Sequence, residues 1–111
     1  MDDSTLIELF RVLGDPVRWR VVTELRGGIR CACELAEASG AAPSLLSHHL
    51  GVLRDAGVVA ASRRGRWIDY TLVEGVLEHL ADELSDADVA PGGRRALQPG
   101  AVMETGEMVA R

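Results

Sequence analysis

The chain has 111 residues, enough for one domain with a short tail and too few for a large multi-site enzyme, since compact domains run to roughly 100 to 200 residues. It is 47% hydrophobic and 26% charged, too apolar for a disordered chain, yet it has no apolar run near the roughly 18 residues of a membrane span. The net charge of −5, taken whole, argues against a nucleic-acid partner, but its distribution does not: residues 71–88 hold six acids and no Arg, whereas residues 41–70 hold four Arg against two acids. Asp2 and Asp3 are acidic where a secretory signal would be basic, so the expectation is a cytoplasmic protein with no membrane partner. Its two cysteines, Cys31 and Cys33, are then expected as reduced thiols whose C-x-C spacing reflects reactivity or packing.

In chain order, Leu6, Leu9, Phe10 and Leu13 form the i, i+3, i+4, i+7 stripe of an amphipathic helix, with Ser4 available as its N-cap and Gly14 as its stop. Asp15 caps a second helix that has Pro16 at its first position and Val17, Val21, Val22 and Leu25 on its core face, ended by Gly27-Gly28. A short third helix spans about Cys31 to Ala38 and closes at Ser39-Gly40; a fourth runs from Pro43 to Asp55. Two helices joined by so short a turn suggest helix-turn-helix. Val58-Val59-Ala60-Ala61-Ser62 and Trp67-Ile68-Asp69-Tyr70-Thr71-Leu72 then read as a hairpin tipped by Arg63, Arg64, Gly65 and Arg66. Helical periodicity resumes with Val73, Val76, Leu77, Leu80 and Leu84, backed by Glu74, Glu78, Asp82, Glu83 and Asp86. Pro91, Gly92, Gly93, Pro99 and Gly100 interrupt everything later, so residues 1–88 read as the domain and 89–111 as a flexible tail.

On a helical wheel, Leu46, Leu50 and Leu53 of the fourth helix gather within about 60°, while Ser44, Ser47, His48, Gly51 and Asp55 lie opposite. A small polar face of this kind lets a helix approach base edges in a major groove, where hydroxyls and an imidazole exchange hydrogen bonds. Alone, the same face suits any solvated helix. What points to DNA is the order of elements: short helix, turn, polar-faced helix, then a hairpin whose Arg63, Arg64 and Arg66 straddle a phosphate backbone. Ser44, Ser47, His48, Arg54, Arg63, Arg64 and Arg66 are the candidate DNA contacts.

The chain resembles the ArsR/SmtB-type winged-helix family of metal-responsive bacterial repressors. The likeness spans about Leu9 to Leu72. It is carried by Leu13-Gly14-Asp15-Pro16-Val17-Arg18, by Cys31-Ala32-Cys33-Glu34-Leu35, by Ser47-His48-His49-Leu50 with Val52-Leu53-Arg54-Asp55-Ala56-Gly57, and by Arg64-Gly65-Arg66-Trp67 leading to Tyr70-Thr71-Leu72. The resemblance implies a mainly α winged helix-turn-helix with five helices and a two-stranded wing. It also implies a homodimer built from the first and last helices, a palindromic double-stranded operator bound without inducer, and release when metal binds. The unpartnered stripes of those two helices agree with a dimer. The chain departs from the pattern at Ala42-Pro43, where relatives usually have Ser then Gln, and at Leu45, where Thr is common. Base reading therefore falls on Ser44, Ser47 and His48, with His49 at the edge of the core.

The same resemblance makes Cys31 and Cys33 a thiolate metal site, although the arsenic-sensing version often has a further Cys at the position of Ala36. Soft thiolates select thiophilic ions, so As(III) or Sb(III) is favoured as inducer, with Hg(II), Cd(II) or Pb(II) as alternatives. Both cysteines fall on the third helix, where residues two apart point about 200° from each other, so binding is expected to unwind the start of that helix. A zinc site on the last helix would have only His79 with Glu78, Asp82 and Asp86, and that run reads as a solvated face. Thiol redox sensing, a metal-independent winged-helix regulator and a protein-interaction module remain open alternatives. An enzyme is not expected, because no nucleophile motif or phosphate-cradling glycine loop is present.

Overall fold

The structure is a computed structural model that describes residues 1–85; the expected tail, 89–111, lies outside the described residues. Helix α1 (Asp3–Leu13) starts two residues earlier than a Ser4 cap would place it, because the Asp2 carboxylate accepts the Thr5 N–H at 2.8 Å. Helix α2 (Pro16–Leu25) begins as the sequence suggests: the Asp15 carboxylate accepts the Val17 and Arg18 N–H groups at 2.8 and 3.1 Å, and Pro16 occupies the first turn, where a missing N–H costs nothing.

The next element differs from expectation. Arg30–Cys31 form a two-residue strand, β1, and helix α3 (Ala32–Ser39) starts only after it, with Cys31 as its N-cap. Gly40, at φ +72°, closes α3 in the left-handed conformation, which glycine adopts without Cβ strain. Helix α4 (Pro43–Asp55) then begins at a proline with no side-chain cap on Ala42.

Strands β2 (Val59–Arg64) and β3 (Trp67–Leu72) form an antiparallel hairpin in which Arg64 faces Trp67. Gly65, at φ +61°, is the first of two loop residues, the position where a II′ turn requires glycine. Beyond the expected two-stranded wing, β1 joins the outer edge of β3, pairing Arg30 with Tyr70 and Cys31 with Asp69, so the sheet order is β1-β3-β2. Helix α5 (Val76–Ser85) starts three residues later than its apolar stripe suggested, and Val73 sits exposed in the connection before it.

The core is one cluster: Val21, Val22 and Leu25 of α2, Leu35 of α3, and Leu46, Leu50 and Leu53 of α4 meet Val58, Val59 and Tyr70 of the sheet. Leu9 and Val12 of α1 and Leu80 of α5 close it from the far side. The α4 wheel is thus realised: its leucine face is buried and its Ser44, Ser47 and His48 face is exposed. Stacking α2, α3 and the sheet beneath α4 is what holds that polar face outward.

Candidate nucleic-acid interface and cysteine site

Ser44, Ser47, His48 and Arg54 are exposed on α4, and Leu45, 47% exposed, joins them on the outer surface. The neighbouring His49 is only 7% exposed. Its Nδ1 lies 3.0 Å from Arg18 Nη1 and its Nε2 3.7 Å from Asp15 Oδ2. Arginine has no acceptor, so Nδ1 accepts from the guanidinium and the ring proton sits on Nε2, toward Asp15. Arg18 Nε also donates to the Val12 carbonyl at 2.6 Å, an acceptor left open at the end of α1. Two side chains therefore link the end of α1 and the start of α2 to α4. The Arg18 backbone N–H, with the facing His49 ring, the Val17 N–H and the Arg18 guanidinium, holds the Asp15 carboxyl below its ordinary value.

The three arginines of the wing are not equivalent. Arg64 is held bidentately by Asp69, Nε to Oδ2 at 2.7 Å and Nη2 to Oδ1 at 3.1 Å. This pairing keeps the Asp69 carboxyl below its usual range and strengthens protonation of Arg64, with a smaller contribution from Glu34. Arg63 curls over the turn, its Nη1 donating to the Gly65 carbonyl at 3.2 Å. Arg66 makes no hydrogen bond or ion pair among the described residues. All three are exposed, but Arg66 is the one whose guanidinium needs no prior release to meet a phosphate.

Cys31 is 8% exposed and Cys33 is exposed. Their Sγ atoms are paired as a disulfide, with the Cα atoms 5.4 Å apart, where the sequence leads one to expect two separate reduced thiols. The expectation that the two sulfurs diverge by about 200° is corrected too. Cys31 has φ −80° and ψ 164°, an extended conformation imposed by its pairing in β1, so helical spacing applies only from Ala32 onward and the sulfurs meet with α3 intact. Cys31 also completes a capping box: its Sγ accepts the Glu34 N–H at 3.4 Å and its own N–H donates to Glu34 Oε1 at 2.9 Å. The cysteine pair thus sits where α3, the wing strand β3 and Glu34 converge.

Among the described residues, no three His, Cys, Asp or Glu side chains come together as a metal cluster. On α5, His79 Nε2 lies 3.8 Å from Glu83 Oε2, and Asp86 lies outside the described residues. No helix among the described residues is long and apolar enough to cross a membrane. Sequence reasoning did not pick out Asp69, Glu34 and Arg18 as partners of the site. For Arg18 a signal existed, because an Arg three residues after a helix-capping Asp lies in the first turn of α2.

Five short helices, one with an exposed polar face, and a basic antiparallel hairpin define a winged helix-turn-helix protein. Residues 15–61 match the family described as bacterial regulatory protein, arsR family. The HTH-type transcriptional repressor SmtB of Mycobacterium tuberculosis is 42% identical over 90 residues, covering 81% of this chain and 64% of that protein. The HTH-type transcriptional regulator CmtR of Mycobacterium bovis is 37% identical over 84 residues, covering 76% of this chain and 71% of that one. Among solved structures, Rv0081 of M. tuberculosis superposes with a TM-score of 0.64 at 33% identity, covering 89% of this chain and 91% of that one. The chain belongs to the ArsR family of bacterial regulatory proteins; its named relatives are transcriptional regulators rather than enzymes, and it spans somewhat under two thirds of the SmtB repressor's length.

Proposed function

We propose that this chain is a metal(loid)-responsive transcriptional repressor that binds a palindromic operator as a homodimer and lets go when a thiophilic ion, As(III) or Sb(III) before Hg(II), Cd(II) or Pb(II), is captured by Cys31 and Cys33. The observation that carries this reading is the convergence of the two sulfurs at the N-cap of α3, on a strand hydrogen-bonded to the wing. Thiolates in that place are soft ligands preorganised as a pair. The fit is for a ligand satisfied by two sulfurs or bringing its own third donor.

The same placement supplies a route from site to DNA. Cys31 Sγ caps α3, and Cys31 pairs with Asp69, the residue that holds Arg64. An ion inserted between the two sulfurs spreads them beyond their present pairing, shifting Cys31 against both its Glu34 cap and its register with Asp69, and so both α3 and the wing feel it. Coupling energies between distant sites are commonly about 1–3 kcal/mol, or roughly 5- to 150-fold in affinity. Ser44, Ser47 and His48 are the base-reading side chains in this proposal; Arg54, Arg63, Arg64 and Arg66 serve the phosphates.

Homodimerisation is supported by apolar surface that one protomer leaves uncovered. Ile7, Phe10, Trp19 and Leu84 are 61, 44, 43 and 57% exposed, and a groove of about 550 Å³ between Phe10, Leu13, Pro16, Trp19, Leu80 and Leu84 joins α1 to α5. Exposed apolar area of this continuity marks an association surface.

The disulfide favours a second reading, in which oxidation of the same two thiols, rather than an ion, is the signal. Operator duplexes selected from random DNA, followed by fluorescence anisotropy on reduced protein, separate the two. Release by As(III), Sb(III) or Hg(II) under reducing conditions supports the ion reading. Release only on oxidation supports the redox reading, and release of the Cys31→Ser/Cys33→Ser protein as readily as wild type removes the pair from sensing altogether.

A further inference from the structure

Leu45 is the residue of α4 that neither the core nor the proposed DNA contacts absorb. The other leucines of the helix, Leu46, Leu50 and Leu53, are buried, whereas Leu45 is 47% exposed. Nor does it belong to the uncovered groove between α1 and α5, because no residue of α4 lines that groove. At 100° per residue it lies about 60° from His48, on the flank of the polar face. It also sits in the first turn of α4, the end from which a recognition helix reaches base edges. The middle of that face is cut low, since Ser44, Ser47 and Gly51 carry little or no side chain. Gly51 has no positive φ, and a Cβ there would meet nothing within 4 Å, so neither the backbone nor packing within the protomer calls for glycine. Bare backbone on the outer face of a helix permits close approach to another molecule. A helix seated that closely brings the branched, apolar side chain of Leu45 against the edge of a base.

Resting on the reading of α4 as the DNA-reading helix, we propose that Leu45 is a specificity-determining residue that packs against the 5-methyl group of a thymine at one fixed position of each operator half-site. That methyl is the apolar recognition group of the major groove; the other groups displayed there are hydrogen-bond donors and acceptors. Ser44, Ser47 and His48 read their bases by hydrogen bonds, and Leu45 reads its base by excluding water from a methyl. Cytosine in the same place sets an amino donor against a side chain that cannot accept, and guanine sets two acceptors against one that cannot donate. Each would be buried without a partner, which costs free energy. Thymine is therefore selected both by the contact it adds and by the unpaired groups it avoids.

The test is a cycle between one side chain and one methyl group. Operator duplexes selected from random DNA are resynthesised with deoxyuridine for thymine at each half-site position in turn; uracil keeps the base pair and lacks only the methyl. Wild-type and Leu45→Ala full-length chains, both reduced, are titrated by fluorescence anisotropy across a salt series. Wild type should lose about fourfold in affinity per half-site at one thymine, as exposure of one buried methyl implies. Leu45→Ala should be indifferent to the methyl at that same position. Its slope of log K against log salt should match wild type, because no phosphate contact is lost. Leu45 is exposed, so the alanine chain keeps its fold, which circular dichroism and the melting temperature check. Equal sensitivity of both chains to the methyl at every position, or selected half-sites that require no thymine, overturns the role of Leu45 and leaves α4 standing as the reading helix. If no sequence is selected from random DNA, the reading of α4 fails along with it.

Discussion

Arg18 and His49 are bonded side chain to side chain at 3.0 Å, across the boundary between α2 and α4, the proposed DNA-reading helix. Because Arg18 Nε simultaneously holds the Val12 carbonyl, a single guanidinium fixes the orientation of α4 relative to the proposed dimer helix. Arg18→Ala leaves both acceptors short of a partner in a half-buried place, a loss of about 1–3 kcal/mol. Urea denaturation should show that loss, and Arg18→Lys should recover only part of it, since an ammonium lacks the planar fork.

Acid should weaken the same junction. Asp15 titrates below its ordinary value in the folded chain, chiefly through the Arg18 backbone N–H. A carboxylate depressed on folding contributes stability that is present above its unfolded pKa and disappears as pH falls through the lower folded one. Asp15→Asn should therefore flatten the fall in thermal stability below about pH 4; an unchanged acid limb would show that other carboxylates govern it.

In the wing, Arg66→Ala should weaken binding to every DNA sequence alike and reduce the slope of log K against log salt by about one. Arg64→Ala should cost less, because Asp69 already neutralises that guanidinium. Asp69→Asn should do the opposite and strengthen sequence-independent binding, by freeing Arg64. Salt titrations by anisotropy distinguish these outcomes from loss of preference at one base pair, which would make the wing a base reader.

Association is best probed at Leu84 or Phe10. Leu80 belongs to the apolar stripe of α5, but it is only 9% exposed and packs in the protomer's own core, so Leu80→Glu should lower the melting temperature as well as any dimer. Leu84→Glu should shift sedimentation toward monomer with folding preserved. A dimer that survives both Leu84→Glu and Phe10→Glu would place the interface elsewhere.

Cys31→Ser should keep DNA binding near wild type while abolishing ion-driven release. Serine is among the preferred N-caps, so the hydroxyl takes over from Sγ in accepting the Glu34 N–H, yet it is a poor ligand for soft ions. Cys33→Ser should behave alike without touching the cap, and circular dichroism should show full helix content in both.

Local pattern sufficed for much of this molecule. The leucine spacing of α4 dictated which face is buried, Asp15-Pro16 marked the start of α2, and Gly65 between two β-prone runs marked the hairpin, because each signal is a period or a backbone preference contained within a few residues. The seven residues proposed to contact DNA were chosen on local pattern of the same kind, and the structure leaves all seven exposed. Relationships between elements were not. A two-residue strand is too short to show alternation, so only its pairing with β3 reveals that Cys31 is extended and that its sulfur reaches Cys33 without unwinding α3. Arg64 reads as a free cation until β3 sets Asp69 against it. Leu80 and Leu84 share one stripe, and only packing against α1 and α2 buries the first while leaving the second exposed. Periodicity states which residues share a face; what that face meets depends on contacts distant in sequence, which the folded chain alone brings together.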